Sequence, residues 1–268
     1  MSTLDHPMLS IWDSSSVDRV SQYSSSWDRG GQRYHPIQEA RLHPWASKAA
    51  ATLPGASNGV LLISEMIGPI GIPDFTAVVG GKSQITARLA SGIDPITSPM
   101  DCQLLASLYS SRPRRLETIA HELSADLEAL QSRLGVLERK GAVQQLRKGL
   151  YIRESAMTPG GTLYAIEAKI GNWRRAVRQA RGYRTWTNNY VLILDEVGEK
   201  GRQAVLADIE ADRAGLVMGN KWVRKPSPRL PSKVNQILGF EHLMAGLRDH
   251  HPSSTTNWST PANKGSIH

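Results

Sequence analysis

The run Thr162-Leu163-Tyr164-Ala165-Ile166-Glu167-Ala168-Lys169 decides how this chain is read. Its aliphatic and aromatic residues favour a strand. Side chains alternate faces along a strand, so Glu167 and Lys169 point one way while Ala168 points into the other layer. A carboxylate and an ammonium on an otherwise apolar strand are expensive to bury unless something uses them. The tripeptide alone is a weak signal, since about one Glu-x-Lys is expected by chance in a chain of this size. The plain alternative is a surface ion pair at a strand end.

Downstream, the spacing predicts a helix over 172–186, with Trp173, Val177 and Ala180 as its core-facing stripe. Gln179 and Tyr183 fall at i and i+4 on one face. Arg174, Arg175, Arg178, Arg181 and Arg184 wrap the helix with no acidic residue between them. A solvated face usually mixes signs, so this one reads as a surface that tracks phosphates. A strand over 190–194, a helix over 203–211 and a strand over 215–218 complete the pattern. A basic, proline-rich stretch follows at 221–233. Val234, Ile237, Leu238, Phe240 and Leu243 then mark a C-terminal helix, and the tail from His250 is polar.

Upstream, residues 1–35 are rich in serine and read as largely unstructured. Residues 36–53 suggest a helix disturbed at Pro44. Two apolar runs, 59–66 and 74–79, are joined by Gly68-Pro69-Ile70-Gly71 and make a hairpin. Pro73-Asp74 opens the second run, where an aspartate can face the same edge as Glu167. Glu65 is either an accessory acid or a solvated strand end.

Gly92, Pro95 and Pro99 mark a boundary within 82–99, and the texture beyond it is helical. Helices are expected over 100–109, 116–123 and 126–140, the last capped by Ser124 and stopped by Gly141. A hairpin over 142–153 turns at Lys148-Gly149. Three helices and a hairpin resemble a winged helix-turn-helix, and 118–153 is similar to the MarR-type version. Arg133, Arg147 and Lys148 are its candidate DNA contacts, the last two at the wing tip. Asp126 and Glu128, at the start of the presumed recognition helix, would repel phosphate, which leaves docking of a companion protein open.

With 82–158 set aside, the remaining order of helix, three strands, helix and strand resembles the PD-(D/E)xK, or restriction-endonuclease-like, superfamily. Pro73-Asp74 matches the first half of its motif and Glu167-x-Lys169 the second. Gln179-xxx-Tyr183 is similar to the Q-xxx-Y motif of the RecB-like branch. The resemblance covers 47–81 and 159–220. It implies a catalytic set of Asp74, Glu167 and Lys169. In such a set Asp74, Glu167 and the carbonyl of Ala168 hold Mg²⁺ or Mn²⁺, and Lys169 positions or activates the attacking water. Gln179 and Tyr183 then join Arg174, Arg175, Arg178 and Arg181 on the DNA-binding side.

The composition agrees with a folded chain that meets polyanions. Of 268 residues, 40% are hydrophobic, and the formal charge is +8. A single cysteine, Cys102, excludes an internal disulfide and a cysteine-based zinc site. Residues 1–12 lack a basic region followed by an apolar run, and the longest apolar stretch, 59–75, is broken by polar residues, prolines and glycines. A cytoplasmic protein without a membrane span is therefore expected.

The expected class is α/β, a small mixed sheet flanked by helices with an inserted winged helix. Residues 1–35 form the serine-rich segment, 36–83 and 159–233 the two parts of the core, 84–158 the insertion, and 234–268 the C-terminal helix and tail. The expected function is Mg²⁺-dependent hydrolysis of DNA. Its rivals are a non-catalytic winged-helix regulator and a nuclease subunit of a larger DNA-processing assembly.

Overall fold

The computed structural model describes residues 10–11, 39, 41–195 and 197–249. In chain order the first elements are β1 (Ser10–Ile11), α1 (His43–Ala50), β2 (Val60–Ser64), β3 (Phe75–Val79) and α2 (Lys82–Ala90). A middle group follows: α3 (Pro99–Ser107), β4 (Arg114–Arg115), α4 (Leu116–Leu123), α5 (Leu127–Arg139), β5 (Val143–Arg147) and β6 (Leu150–Arg153). The last are β7 (Thr162–Lys169), α6 (Trp173–Tyr183), β8 (Asn189–Leu194), α7 (Glu199–Asp212), β9 (Gly215–Met218), β10 (Lys221–Arg224) and α8 (Lys233–Asp249).

The architecture is mixed α/β. Seven described strands form one sheet in the order β1-β2-β3-β7-β8-β9-β10. β7, the strand on which the sequence reading turned, is its middle member. Pairing is antiparallel from β1 to β7, parallel through β8 and β9, and antiparallel again at β10. Parallel neighbours need crossovers, and α6 and α7 supply them. On one face α1 packs Leu42, Ala46 and Ala49 against Phe75, Tyr164, Ile166 and Ala168. On the other, α6, α7 and α8 bring Val177, Tyr183, Ile209, Phe240 and Leu243 against Leu163, Ala165 and Leu192. Both faces are covered, which is why β8 is buried along its whole length.

The chain leaves the sheet after β3 and returns at β7, and the two strands pair from Val79↔Thr162 to Phe75↔Ile166. The ends of the intervening segment therefore meet. Gly81 lies so close to Gly160 and Gly161 that a Cβ on it would fall 2.4 Å from the Gly161 nitrogen. Gly81 and Gly161 also hold positive φ, at 75° and 78°, so glycine is required there by space and by conformation.

Between those ends, α3, α4 and α5 surround Leu105, Ile119, Leu134 and Leu137, beside a three-stranded sheet of order β4-β6-β5. This second core is not self-contained. Ile237 and Leu238 of α8 belong to it, whereas Phe240, Leu243 and Met244, further along α8, belong to the first. A buried ion pair reinforces the joint. Arg88 of α2 grips Glu241 of α8 with two hydrogen bonds, Nε–Oε1 at 2.9 Å and Nη2–Oε2 at 2.7 Å. The same guanidinium donates to the carbonyls of Ile93 and Asp94, and Glu241 accepts the Ile96 N–H. Every strong donor and acceptor of this pair is used, the condition under which a buried ion pair is tolerable.

Several expectations change. The boundary drawn at 83/84 falls inside α2, whose Ile85 and Leu89 pack on the large sheet. β10, to which no element was assigned, forms at the start of the basic, proline-rich stretch, and Ser10–Ile11 pairs with β2 although it lies in the serine-rich segment; the rest of 1–35 and the polar tail from His250 fall outside the described residues. Asp126, not Ser124, caps α5, accepting the Ala129 N–H at 2.9 Å. Ser124 instead closes α4 in a left-handed conformation. Among the described residues no helix is long and apolar enough to cross a membrane.

Candidate active site

Three strand ends reach the same edge of the sheet. β7 carries Glu167 and Lys169 at its C-terminal end. β3 runs antiparallel to it, so Asp74, just before β3, arrives beside them. Glu65 follows β2 at the same edge, its N–H donating to the Asp74 carbonyl at 3.0 Å. The backbone aims the aspartate: Asp74 Oδ2 accepts the Ala168 N–H at 2.7 Å. Lys169 Nζ then stands 3.8 Å from Asp74 Oδ2 and 3.1 Å from Glu167 Oε1. Asp74, Glu167 and Lys169 converge, and the Ala168 side chain turns to the α1 face as alternation required.

A fourth charged group enters that the sequence reading did not single out. Glu39, ahead of α1, places Oε2 3.2 Å from Lys169 Nζ. His43, one turn on, lies against Phe75; burial lowers its pKa, while Glu65 and Glu39 oppose that shift. Only the i, i+4 spacing of Glu39 and His43 hinted at a shared face, and nothing local in the sequence directed that face at β7.

Glu167 is 1% exposed. Burial raises its carboxyl pKa to about 8, and Asp74 pushes the same way; the Lys169 ammonium and the Tyr183 hydroxyl oppose both. Burial alone would lower the pKa of Lys169. Asp74, Glu167 and Glu39 outweigh it and hold the ammonium above its ordinary value. The two oxygens of Glu167 differ. Oε2 accepts from Tyr183 Oη at 3.1 Å. Oε1 is buried, and its near partner is the Lys169 ammonium at 3.1 Å.

Gln179 and Tyr183 do share a face of α6, but they serve Glu167 and not the surface. Gln179 Nε2 donates to Tyr183 Oη at 2.8 Å. Tyr183 is 1% exposed, which removes it from the DNA-binding set.

The basic residues separate into two groups. Arg174, Arg175 and Arg178 are exposed on α6, and none forms an ion pair within the described residues. Arg181 bonds Asp208 and Asp212 of α7; Asp212 Oδ2 takes both Arg181 and the buried Tyr190 hydroxyl, and Oδ1 takes Arg184. Arg181 is thus a helix-to-helix tie, and the acids absent from α6 are supplied by its neighbour. Arg133 is similarly tied to Asp101 and Ser98. Arg147 and Lys148 are exposed at the turn between β5 and β6.

No family model, curated protein or solved structure matches this chain. Its site must be judged on its chemistry. Among the described residues no three His, Cys, Asp or Glu side chains form a ready metal cage. The cation present among the carboxylates is the Lys169 ammonium.

Proposed function

We propose that this chain is a Mg²⁺- or Mn²⁺-dependent DNA nuclease with a PD-(D/E)xK-type site, built on a restriction-endonuclease-like core that carries an inserted winged helix. The observation that carries this reading is the convergence of Asp74, Glu167 and Lys169 at one sheet edge, with Glu167 Oε1 buried against the Lys169 ammonium. Burial raises the Glu167 pKa despite that ammonium, so a further cation at its oxygens would favour the ionised form. Two carboxylates from different strands, with the Ala168 carbonyl as a third oxygen, suit a hard divalent ion. Such an ion, when bound, neutralises phosphate charge and makes a water nucleophilic at neutral pH.

The chain's own groups have separate tasks. The Ala168 N–H orients Asp74, and Tyr183, backed by Gln179, orients Glu167. Lys169 offers a fixed positive charge to the phosphoryl oxygens as negative charge develops there. Glu39 holds that ammonium at the edge. Arg174, Arg175 and Arg178 engage the backbone of the nucleic acid.

The order of α3, α4, α5 and the β5–β6 hairpin, with β4 closing on β6, supports the winged-helix reading, and Arg147 and Lys148 are available at its tip. One observation favours a second role for this module. Leu127 is 45% exposed at the start of α5, flanked by Asp126 and Glu128, where a DNA reader needs polar or basic groups. That end of α5 suits a companion protein better than a major groove, as expected for a nuclease subunit of a larger assembly.

Calorimetric titration with Mn²⁺, paired with a cleavage assay, tests the site. Mg²⁺ or Mn²⁺ should support DNA cleavage, and Glu167→Gln should abolish it without unfolding the protein. Equal Mn²⁺ binding by the native chain and an Asp74→Ala, Glu167→Gln double variant would sink the proposal.

A further inference from the structure

The loop from Glu65 to Asp74 joins β2 to β3 at the catalytic edge, and it is built in an unusual way. Its backbone is pinned from three directions. Tyr183 Oη lies 3.1 Å from the Ile72 carbonyl, Trp186 Nε1 donates to the Ile70 carbonyl at 3.3 Å, and His242 Nδ1 meets the Ile67 carbonyl at 3.1 Å. Within the loop the Gly68 N–H bonds the Gly71 carbonyl. Gly68 lies on the Trp186 ring and Gly71 on the Tyr183 ring, each so close that a Cβ would fall within 2.9 Å of a ring carbon. Yet this rigid loop turns two isoleucines outward: Ile67 is 66% and Ile70 51% exposed.

Scattered exposed apolar residues are ordinary. These two are on a backbone held by three side-chain contacts and by close packing of its glycines against aromatic rings. Ile70 lies over Gly182, where a Cβ would touch its Cγ2 at 3.5 Å. Arg174, Arg178 and Gly182 are successive i, i+4 positions on α6, so a cationic stripe runs directly to the isoleucine. On the loop's inner side, the hydroxyl that touches the Ile72 carbonyl also touches Glu167. A nucleic acid whose phosphates follow the arginines toward the carboxylates therefore meets Ile70 and Ile67 beside the reacting position. Phosphates gain nothing from isoleucine, but the faces of bases do.

We propose that Ile67 and Ile70 form a wedge that enters a base step of duplex DNA and opens it beside the scissile phosphate. The inference rests on the nuclease reading above and adds its substrate class: a double helix that is deformed as it is cut. Apolar wedges of this kind unstack a step at a cost of about a few kcal/mol and kink the duplex. The arginine stripe holds one strand while the wedge acts, so phosphate binding and step opening are separate functions of adjacent residues.

The test uses the full chain with Ca²⁺ in place of Mg²⁺, and duplexes carrying 2-aminopurine at successive positions. Binding by the native protein should raise 2-aminopurine fluorescence at one step. The Ile67→Ser, Ile70→Ser double variant should lose that rise and bind paired duplex about tenfold more weakly. It should bind a duplex with a pre-opened mismatch as tightly as the native chain does. Ile67→Ser alone, at the more exposed position, should shift both readings in the same direction. An unchanged fluorescence rise in the double variant, with DNA still bound and cleaved, overturns the wedge and leaves the patch to a protein partner. If the native chain binds no duplex at any salt concentration, the nuclease reading fails with it.

Discussion

Tyr183 Oη lies 3.1 Å from Glu167 Oε2, sixteen positions away in sequence, and the same oxygen accepts the Gln179 amide at 2.8 Å. One hydroxyl thereby fixes the orientation of a carboxyl group that has no exposed surface to sample. Tyr183→Phe keeps the ring that packs on Gly71 and removes only that oxygen. Glu167 Oε2 then loses its hydrogen bond, and only the Lys169 ammonium at Oε1 still holds the carboxyl group. Mn²⁺ affinity should fall about ten- to a hundredfold, the usual cost of losing a partner that orients a metal ligand. Stability should fall by about 1–3 kcal/mol. Calorimetry and urea unfolding read the two effects separately, and unchanged Mn²⁺ affinity would reduce Tyr183 to a packing residue.

The raised pKa of Glu167 makes stability depend on pH in a defined direction. Unfolded, the carboxyl loses its proton near 4.5; folded, it keeps it to about 8. The native state therefore binds more protons across that window, and stability falls as pH rises through it, by up to about 1.4 kcal/mol per pH unit. His43 and His242 have lowered pKa values, chiefly through burial, and act oppositely below their ordinary value of 6.5. Urea midpoints between pH 7 and 8 should decline for the native chain and stay flatter for Glu167→Gln. Parallel curves for the two proteins would contradict the raised carboxyl.

Arginines on one helix should behave in two ways. Arg178→Gln should lower the slope of log affinity for DNA against log salt by about one, as one phosphate contact is lost, and leave unfolding unchanged. Arg181→Gln should leave that slope alone and destabilise the fold, because Asp212 loses a partner while still holding Arg184 and Tyr190. The reverse pattern would return Arg181 to the DNA-binding face.

Arg88 and Glu241 are 1% and 0% exposed. Arg88→Met leaves Glu241 buried with only the Ile96 N–H, and should cost about 3–5 kcal/mol. The double change Arg88→Met, Glu241→Leu should recover a large part of that. For the same reason, replacing 84–157 with a short linker should not yield a simple, stable core. It removes the partners of Val234, Ile237 and Leu238 on α8 and cuts into α2. Light scattering and circular dichroism of the deletion protein should report association. A monomeric, fully folded product would show that α8 needs only the large sheet.

What was legible in the sequence follows from the range of the interactions. The strand over 162–169 and the helix over 116–123 were read to the residue, because alternation and three-and-four spacing are local. That Asp74 would come to the same edge as Glu167 and Lys169 was legible because a motif ties these residue types to neighbouring strands. Glu39 was not, because its approach to Lys169 depends on how α1 lies across the sheet. The acids that occupy Arg181 were also out of reach, lying on α7, a separate helix. The tie between the two cores was out of reach, because α8 serves both and its sequence shows only that it is apolar.

That double service has a consequence for synthesis. Domains ordinarily fold in turn as they leave the ribosome, the earlier one first. Here neither core can close until residues 233–247 have emerged, since both need side chains from them. The strands that bear Asp74, Glu167 and Lys169 are already made by then, but the layer holding them in register is not. Nascent chains interrupted before α8 should therefore be readily degraded, and a chain cut short there should not present Asp74, Glu167 and Lys169 as an assembled set.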